Sequence, residues 1–172
     1  MDVMPGTTFK SIEPKQLVNR LHKVWANCDP TISNQMKNTM KMVSTQLTAS
    51  SDGTFIYELL QNANDYPMED ESGNPIPVNV EFHITGEYLI YRHSGDFFTP
   101  RNIAAISKLA AGEKKAKKNA IGYKGIGFKT IFNGNDYAYL RTGEYSLRFD
   151  ESSRISRDDP WQIMPIWTDN QN

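Results

Sequence analysis

The stretch FIYELLQNANDY, residues 55–66, decides how the chain is interpreted. Its apolar residues recur at helical spacing, and the helix must end before Pro67 because proline has no backbone N–H. The preceding break, SSDG at 50–53, supplies residue types suited to an N-cap. We therefore predict a helix that begins near Thr54 and ends before the proline.

Three polar residues share one face of this helix. Glu58, Asn62 and Asp65 are spaced i, i+4 and i+7, which at about 100° per residue aligns their side chains. A carboxylate, an amide and a second carboxylate suit a hydrated Mg²⁺ ion, which prefers oxygen ligands and keeps several waters. The alternative is an ordinary solvated polar face.

Hydrophobic periodicity predicts the other elements. Further helices are expected over 14–26, 33–47 and 100–110, and strands over 78–84, 88–92, 137–141 and 145–149. The tail after residue 157 has no clear period. In the predicted order, helices come first and are followed by strand pairs with helices between them. This order indicates an α+β two-layer sandwich with helices on one face of a mostly antiparallel sheet.

A glycine-rich segment, IGYKGIGFKTIF at 121–132, follows a run of lysines. Glycines at 122, 125 and 127 let backbone approach a ligand closely, and the N-terminus of a following helix favours phosphate oxygens. The spacing is not that of a Walker loop, and no strand precedes it as a dinucleotide fingerprint requires. A plain turn that opens a helix is the alternative.

Charge is distributed unevenly along the chain. Residues 101–130 contain eight basic side chains and one acidic one, whereas 51–75 contain six acidic side chains and no lysine or arginine. A basic segment and an acidic segment of this kind suit the binding of a triphosphate and its metal ion. The lysines at 114–118 are equally consistent with a solvated loop.

Composition narrows the class of protein. The 172 residues carry a net charge of -1, one cysteine and no long apolar run. We expect a cytoplasmic domain that has no membrane partner and neither an internal disulfide nor a multi-cysteine zinc site.

Together these motifs resemble a known family. Residues 55–66 resemble the N-box of the GHKL ATPases (gyrase, the large heat-shock chaperone, histidine kinases, MutL), and 121–132 resemble their second glycine box. Within that superfamily they are most similar to sacsin-like and NO VEIN-like ATP-binding domains, whose H-x-G-x-x-F turn corresponds to HSGDFF at 93–98. The resemblance covers about residues 32–167.

The resemblance implies a Bergerat-type sandwich that binds ATP and Mg²⁺. It implies that Glu58 is the general base and that Asn62 is the metal ligand. The implied nucleotide-binding residues are Asn62, Asp65, His93, Gly95, Lys114, Gly122, Lys124, Gly125, Ile126, Gly127, Phe128 and Lys129. The lysines at 114–118 correspond to the family's mobile lid.

The chain departs from the family pattern in two places. His93 stands where most members have an aspartate that accepts a hydrogen bond from the adenine amino group; a neutral imidazole could accept that bond, or the histidine could be satisfied in the core. The chain also stops before the strand that usually closes the sheet. We expect a helical extension over 1–31 and an ATP-binding domain over 32–172, either continued in a longer protein or completed by a partner.

The expected function is slow ATP hydrolysis by a domain that couples nucleotide binding to lid closure or dimerisation. A first alternative is a non-catalytic nucleotide-sensing or assembly module with a degenerate adenine site. A second is a nucleic-acid-binding patch on the lysines, which is less favoured because stacking aromatics do not alternate with them.

Overall fold

A computed structural model describes residues 12–35, 38–39, 53–108, 127–132, 134–157 and 159–169. The α-helices, α1 to α3 in chain order, span Pro14–Ala26, Thr54–Asp65 and Pro100–Ile106. The strands, β1 to β5, span Val80–Thr85, Tyr88–His93, Tyr137–Thr142, Tyr145–Asp150 and Ile166–Trp167. Short 3-10 helices cover Gly127–Phe132, Glu151–Ser153 and Trp161–Ile163. The α+β class is confirmed.

The ends of α1 and α2 agree with the sequence-based prediction. Helix α1 begins at Pro14, where the missing N–H costs nothing, and the Glu13 carboxylate accepts backbone N–H groups of the first turn. Helix α2 spans Thr54–Asp65 and ends two residues before Pro67. Its N-cap differs from the expected side-chain cap, because the cap residue is Gly53, with φ of 93° and no side-chain hydrogen bond. Glycine reaches this left-handed conformation without the steric cost of a Cβ atom.

The other two predicted helices have different bounds. Residues 30–35 and 38–39 are helical, so this helix begins before residue 33; the Asp29 carboxylate accepts the Thr31 N–H at 2.8 Å near its start. The remainder of the predicted 33–47 helix lies outside the described residues. Helix α3 ends at Ile106 rather than near 110, and the backbone N–H of Ser107 closes its last turn. A capping box formed by Thr99 and Asn102 fixes its beginning.

The predicted hairpins form, but in separate sheets. Strands β1 and β2 make a two-stranded antiparallel sheet, and β3, β4 and β5 make a three-stranded antiparallel sheet. Gly86 and Gly143 take positive φ in the two turns, as tight hairpins require. The expected single sheet is therefore divided in two within the described part of the chain. Strand β5 was not predicted, because two residues are too short to show a period.

One apolar core joins α1, α3 and the three-stranded sheet. Its buried members are Leu17, Val18, Leu21, Ile103, Ala104, Ile106, Tyr145, Leu147, Phe149 and Trp161. Helix α1, which belongs to the predicted extension over 1–31, thus shares its core with the sheet. None of the helices in the described ranges is long and apolar enough to cross a membrane.

Candidate functional site

The polar face of α2 is half-buried. Glu58, Asn62 and Asp65 are each partly exposed, whereas the neighbouring Ala63 is buried at 1% exposure. Within the described ranges, none of these three side chains forms a hydrogen bond or an ion pair. Their oxygen atoms are therefore available to a ligand, and the helix places them along one line, as its spacing predicts.

Helix α2 packs directly against the 3-10 helix Gly127–Phe132. The C-terminal part of the glycine-rich segment therefore lies beside the helix that carries Glu58, Asn62 and Asp65. The other predicted phosphate-binding residues fall outside the described residues; they are Lys114, Gly122, Lys124, Gly125 and Ile126. Of the predicted residues, Gly127, Phe128 and Lys129 thus lie on an element that contacts α2.

Lys129 lies in the core and is 6% exposed. Its Nζ atom donates to the carbonyl oxygens of Ile106 and Gln162, the latter at 2.8 Å. Burial holds the pKa of this amine well below its ordinary value. The side chain, predicted to bind nucleotide, instead joins the end of α3 to the 3-10 helix Trp161–Ile163, and its amino group is turned away from solvent.

Phe128 also packs inward. Its ring lies 6.0 Å from that of Phe132 and 6.0 Å from that of Phe149, measured between centroids. The last residues of the predicted glycine box are therefore anchored by aromatic packing and by the hydrogen bonds of Lys129. Gly127 begins this 3-10 helix.

The turn that follows β2 reaches the C-terminal end of α2. The Asp96 N–H donates to the Tyr66 carbonyl at 2.8 Å, and the Ser94 N–H donates to the Asn79 carbonyl at 3.0 Å. A Cβ atom on Gly95 would lie 2.6 Å from the Tyr66 oxygen, so only glycine fits without displacement. The two predicted nucleotide-binding residues of this turn, His93 and Gly95, are thus placed next to α2.

His93 uses one ring nitrogen locally. Its Nδ1 atom accepts the Gly95 N–H at 3.1 Å. Burial lowers the pKa of this imidazole, which favours the neutral ring. The acceptor nitrogen that sequence analysis offered to adenine is therefore already engaged by the backbone.

Sequence analysis did not identify Tyr91. Its hydroxyl donates to the Leu59 carbonyl of α2 at 2.7 Å, and its ring lies 5.5 Å from that of His93. Burial raises its pKa to about 12. Its position two residues before His93 could have identified it, because residues i and i+2 of a strand lie on the same face of the sheet.

An open depression of about 400 Å³ lies elsewhere, beside the end of the 3-10 helix Gly127–Phe132. It is lined by Phe132, Gly134, Asn135, Asp136, Glu151, Trp161 and Gln162. Phe132 is the last residue of the glycine-rich segment, but none of the lining residues is among those predicted to bind nucleotide or metal. Among the described residues, no group of three or more histidine, cysteine or acidic side chains is arranged to hold a metal ion.

Comparison with known proteins finds a partial relative. The chain is 34% identical over 109 residues to Protein NO VEIN of Arabidopsis thaliana; the match covers 60% of this chain and 4% of that protein. The chain thus spans a small fraction of the length of this relative. No protein-family model matches the chain. No solved structure matches it.

Proposed function

We propose that this chain is a Mg²⁺-dependent ATP-binding domain of GHKL type that hydrolyses ATP slowly. The observation that carries the proposal is that the half-buried polar side chains of α2 have no partners among the described residues, on a helix that contacts the end of the glycine segment and whose C-terminal end meets the turn at 93–95. In the proposal, the two sheets and their helices correspond to a Bergerat-type sandwich. The partial likeness to Protein NO VEIN agrees with the resemblance of the sequence motifs to NO VEIN-like domains.

The donor chemistry of α2 fits magnesium. Asn62 would hold the ion through its amide oxygen, with waters and phosphate oxygens completing the shell, so a cluster of several carboxylates is not needed. When bound, Mg²⁺ would neutralise charge on the phosphates. Asp65, one turn further along, would line the nucleotide pocket.

Glu58 is the proposed general base. The residue is half-buried and its carboxylate makes no hydrogen bond with another described residue, so it could accept a proton from a water molecule bound beside α2. The glycines at 122, 125 and 127 would approach the phosphates through backbone N–H groups. Lys114 and Lys124 would add positive charge, with Ile126 in the same segment.

The direct test compares nucleotide binding and turnover in Glu58→Gln. We expect binding of Mg-ATP, measured by calorimetry, to persist while phosphate release falls by about 10²–10⁴-fold, the usual contribution of a general base. The matched control is Glu71→Gln, at an exposed position in the acidic turn after α2. Unchanged turnover in Glu58→Gln would contradict the proposed role.

A nucleotide-sensing module without catalysis is the second candidate. It is favoured by the engagement of His93 Nδ1 with Gly95, which departs from the aspartate arrangement of the family. Binding of Mg-ATP and Mg-ADP without measurable phosphate release in the wild-type chain would select it. In either case we propose a cytoplasmic protein in which nucleotide drives lid closure or dimerisation. Self-association or further domains of a longer chain would transmit the change.

A further inference from the structure

Two acidic residues meet at the end of the β3–β4 ladder that lies away from its turn. Strands β3 and β4 pair Tyr137 with Asp150, so the next residues outward, Asp136 and Glu151, lie opposite each other. The Glu151 N–H donates to the Asp136 carbonyl at 2.9 Å, which holds the two residues side by side, and both line the open depression described above. Like charges opposite each other on paired strands are destabilising, so this end of the ladder favours a cation.

An arginine of the chain already pairs with one of the two carboxylates. The Arg154 Nη2 atom lies 2.9 Å from the Glu151 Oε1 atom, and the two side chains are 31% and 38% exposed. The Asp136 side chain is exposed and makes no hydrogen bond or ion pair with any residue in the described ranges. One negative charge at the depression is therefore balanced within the described chain, and the charge of Asp136 is available to a ligand.

Trp161 adds a hydrogen-bond donor to the same depression. The residue is 7% exposed, yet its indole N–H makes no hydrogen bond within the part of the chain that the structure describes. No buried side-chain nitrogen or oxygen of that part lacks a partner, so this N–H lies in the small portion of Trp161 that solvent reaches. The indole N–H groups of Trp25 and Trp167, in contrast, donate to Ser107 and Asp169 at 3.0 Å each. Trp161, otherwise enclosed, thus offers its donor where it lines the depression.

Side-chain amides complete the polar lining. The amide of Gln162 has no partner among the described residues, and Asn135 donates from Nδ2 to the Ile131 carbonyl at 2.7 Å, which leaves its oxygen as an acceptor. The volume of about 400 Å³ falls within the range of about 300–1,000 Å³ that is typical of ligand sites. Acceptor oxygens predominate over donors here, so the depression suits a ligand that carries several N–H groups and a positive charge.

We propose that this depression binds an arginine side chain of a partner polypeptide. A guanidinium is planar and always charged, and it pairs with a carboxylate such as that of Asp136 through two parallel N–H···O hydrogen bonds. Its remaining N–H groups would donate to the amide oxygens of Asn135 and Gln162. A lysine ammonium lacks this fork of donors and fits less well.

The Trp161 donor favours a polypeptide over the free amino acid. A backbone carbonyl next to the arginine would accept the indole N–H without adding charge. Free arginine would instead bring an α-carboxylate, which Asp136 and Glu151 would repel. This site requires no nucleotide, so it stands or falls independently of the proposed function.

The experiment titrates the whole chain with the blocked peptide acetyl-Gly-Arg-Gly-amide and follows the three tryptophan indole signals by ¹H–¹⁵N NMR. We expect the Trp161 signal to shift while those of Trp25 and Trp167, whose N–H groups are already bonded, stay in place. The variants Trp25→Phe and Trp167→Phe assign the signals and leave the Trp161 ring intact. Peptides with lysine or with citrulline, an uncharged analogue of arginine, and free arginine should each bind about 3–10-fold more weakly.

A single exposed substitution tests which carboxylate receives the guanidinium. Asp136→Asn should weaken binding of the arginine peptide by about 3–10-fold. The matched control, Glu87→Gln at the exposed turn between β1 and β2, changes the net charge equally and should leave the affinity unchanged.

Four results would overturn the proposal. They are an unmoved Trp161 signal, equal affinity for the arginine and lysine or citrulline peptides, tighter binding of free arginine than of the peptide, and unchanged affinity in Asp136→Asn. None of them bears on nucleotide binding, which Glu58→Gln tests separately.

Discussion

The core region, made of α1, α3 and β3 to β5, and the hairpin region, made of α2, β1, β2 and the turn at 93–95, are stabilised in different ways. In the core region, Leu147 and Phe149 are 0% exposed. In the hairpin region, Ile84 is 82% and Tyr88 63% exposed, and hydrogen bonds from Tyr91 to Leu59 and from Asp96 to Tyr66 join the region to α2 and to the residue that follows it. Apolar burial therefore stabilises one region, while directional polar contacts position the proposed site in the other.

The largest expected effect is a loss of stability in the core region. Phe149→Ala should lower the free energy of unfolding by about 3–5 kcal/mol, because it removes a fully buried ring and leaves a cavity. Ile84→Ala in the hairpin region is the matched comparison and should change it by less than about 0.5 kcal/mol. Denaturant unfolding measures both. Equal losses would contradict the distinction between the two regions.

The next effect concerns Lys129, a polar contact inside the core region. The folded pKa lies well below the ordinary value of 10.5, so between the two values the unfolded chain binds more protons. Stability of the wild-type chain should therefore rise with pH through that window. The neutral amine has two N–H donors, which match the carbonyls of Ile106 and Gln162.

Lys129→Met should remove this pH dependence. Near pH 10, where the wild-type amine is neutral, the variant should be less stable by about 1–3 kcal/mol because two carbonyls lose their donors, and the difference should shrink towards neutral pH. Lys23→Met, at an exposed position on α1, is the control and should show no such trend. Unfolding curves at several pH values measure the difference, and a constant difference would contradict the assignment.

The smallest expected effect tests the hydrogen bond that joins the hairpin region to α2. Tyr91→Phe deletes the hydroxyl that donates to Leu59 and should cost about 0.5–1.5 kcal/mol. Tyr57→Phe, at a position that is 75% exposed, controls for loss of a hydroxyl. Hydrogen exchange on β2 provides the second measurement. Identical exchange in the two variants would show that this bond does not hold the hairpin on α2.

Local patterns predicted the elements better than their assembly. Alternating apolar residues and turn glycines located β1 to β4, and Pro67 correctly limited α2. Strand β5 was not predicted, because it consists of Ile166 and Trp167 paired with β4. This pairing is a long-range contact that leaves no pattern in the local sequence. The same limit explains why the division into two sheets was not predicted.

The candidate site was predictable where one helix carries it. Glu58, Asn62 and Asp65 share a face because helical geometry alone dictates it. Burial of Lys129 was not predictable, since lysine is rarely buried and its partners lie 23 and 33 residues away. The hydrogen bond from the Gly95 N–H to His93 Nδ1 likewise depends on how the backbone bends at Gly95, which residue types alone do not specify.

The contact between Tyr66 and Asp96 has a consequence for how the sequence of this domain could vary. The intervening residues 67–95, which include β1 and β2, form a segment whose two ends are joined by this backbone hydrogen bond. Its acidic tip, around 70–74, is exposed, and the Ile76 N–H closes the turn behind it by donating to the Met68 carbonyl at 2.8 Å. The entropy of closing a loop grows only slowly with its length. Insertions or deletions at the tip should therefore be tolerated without moving the imidazole, which makes this tip the natural place for related chains to differ in length.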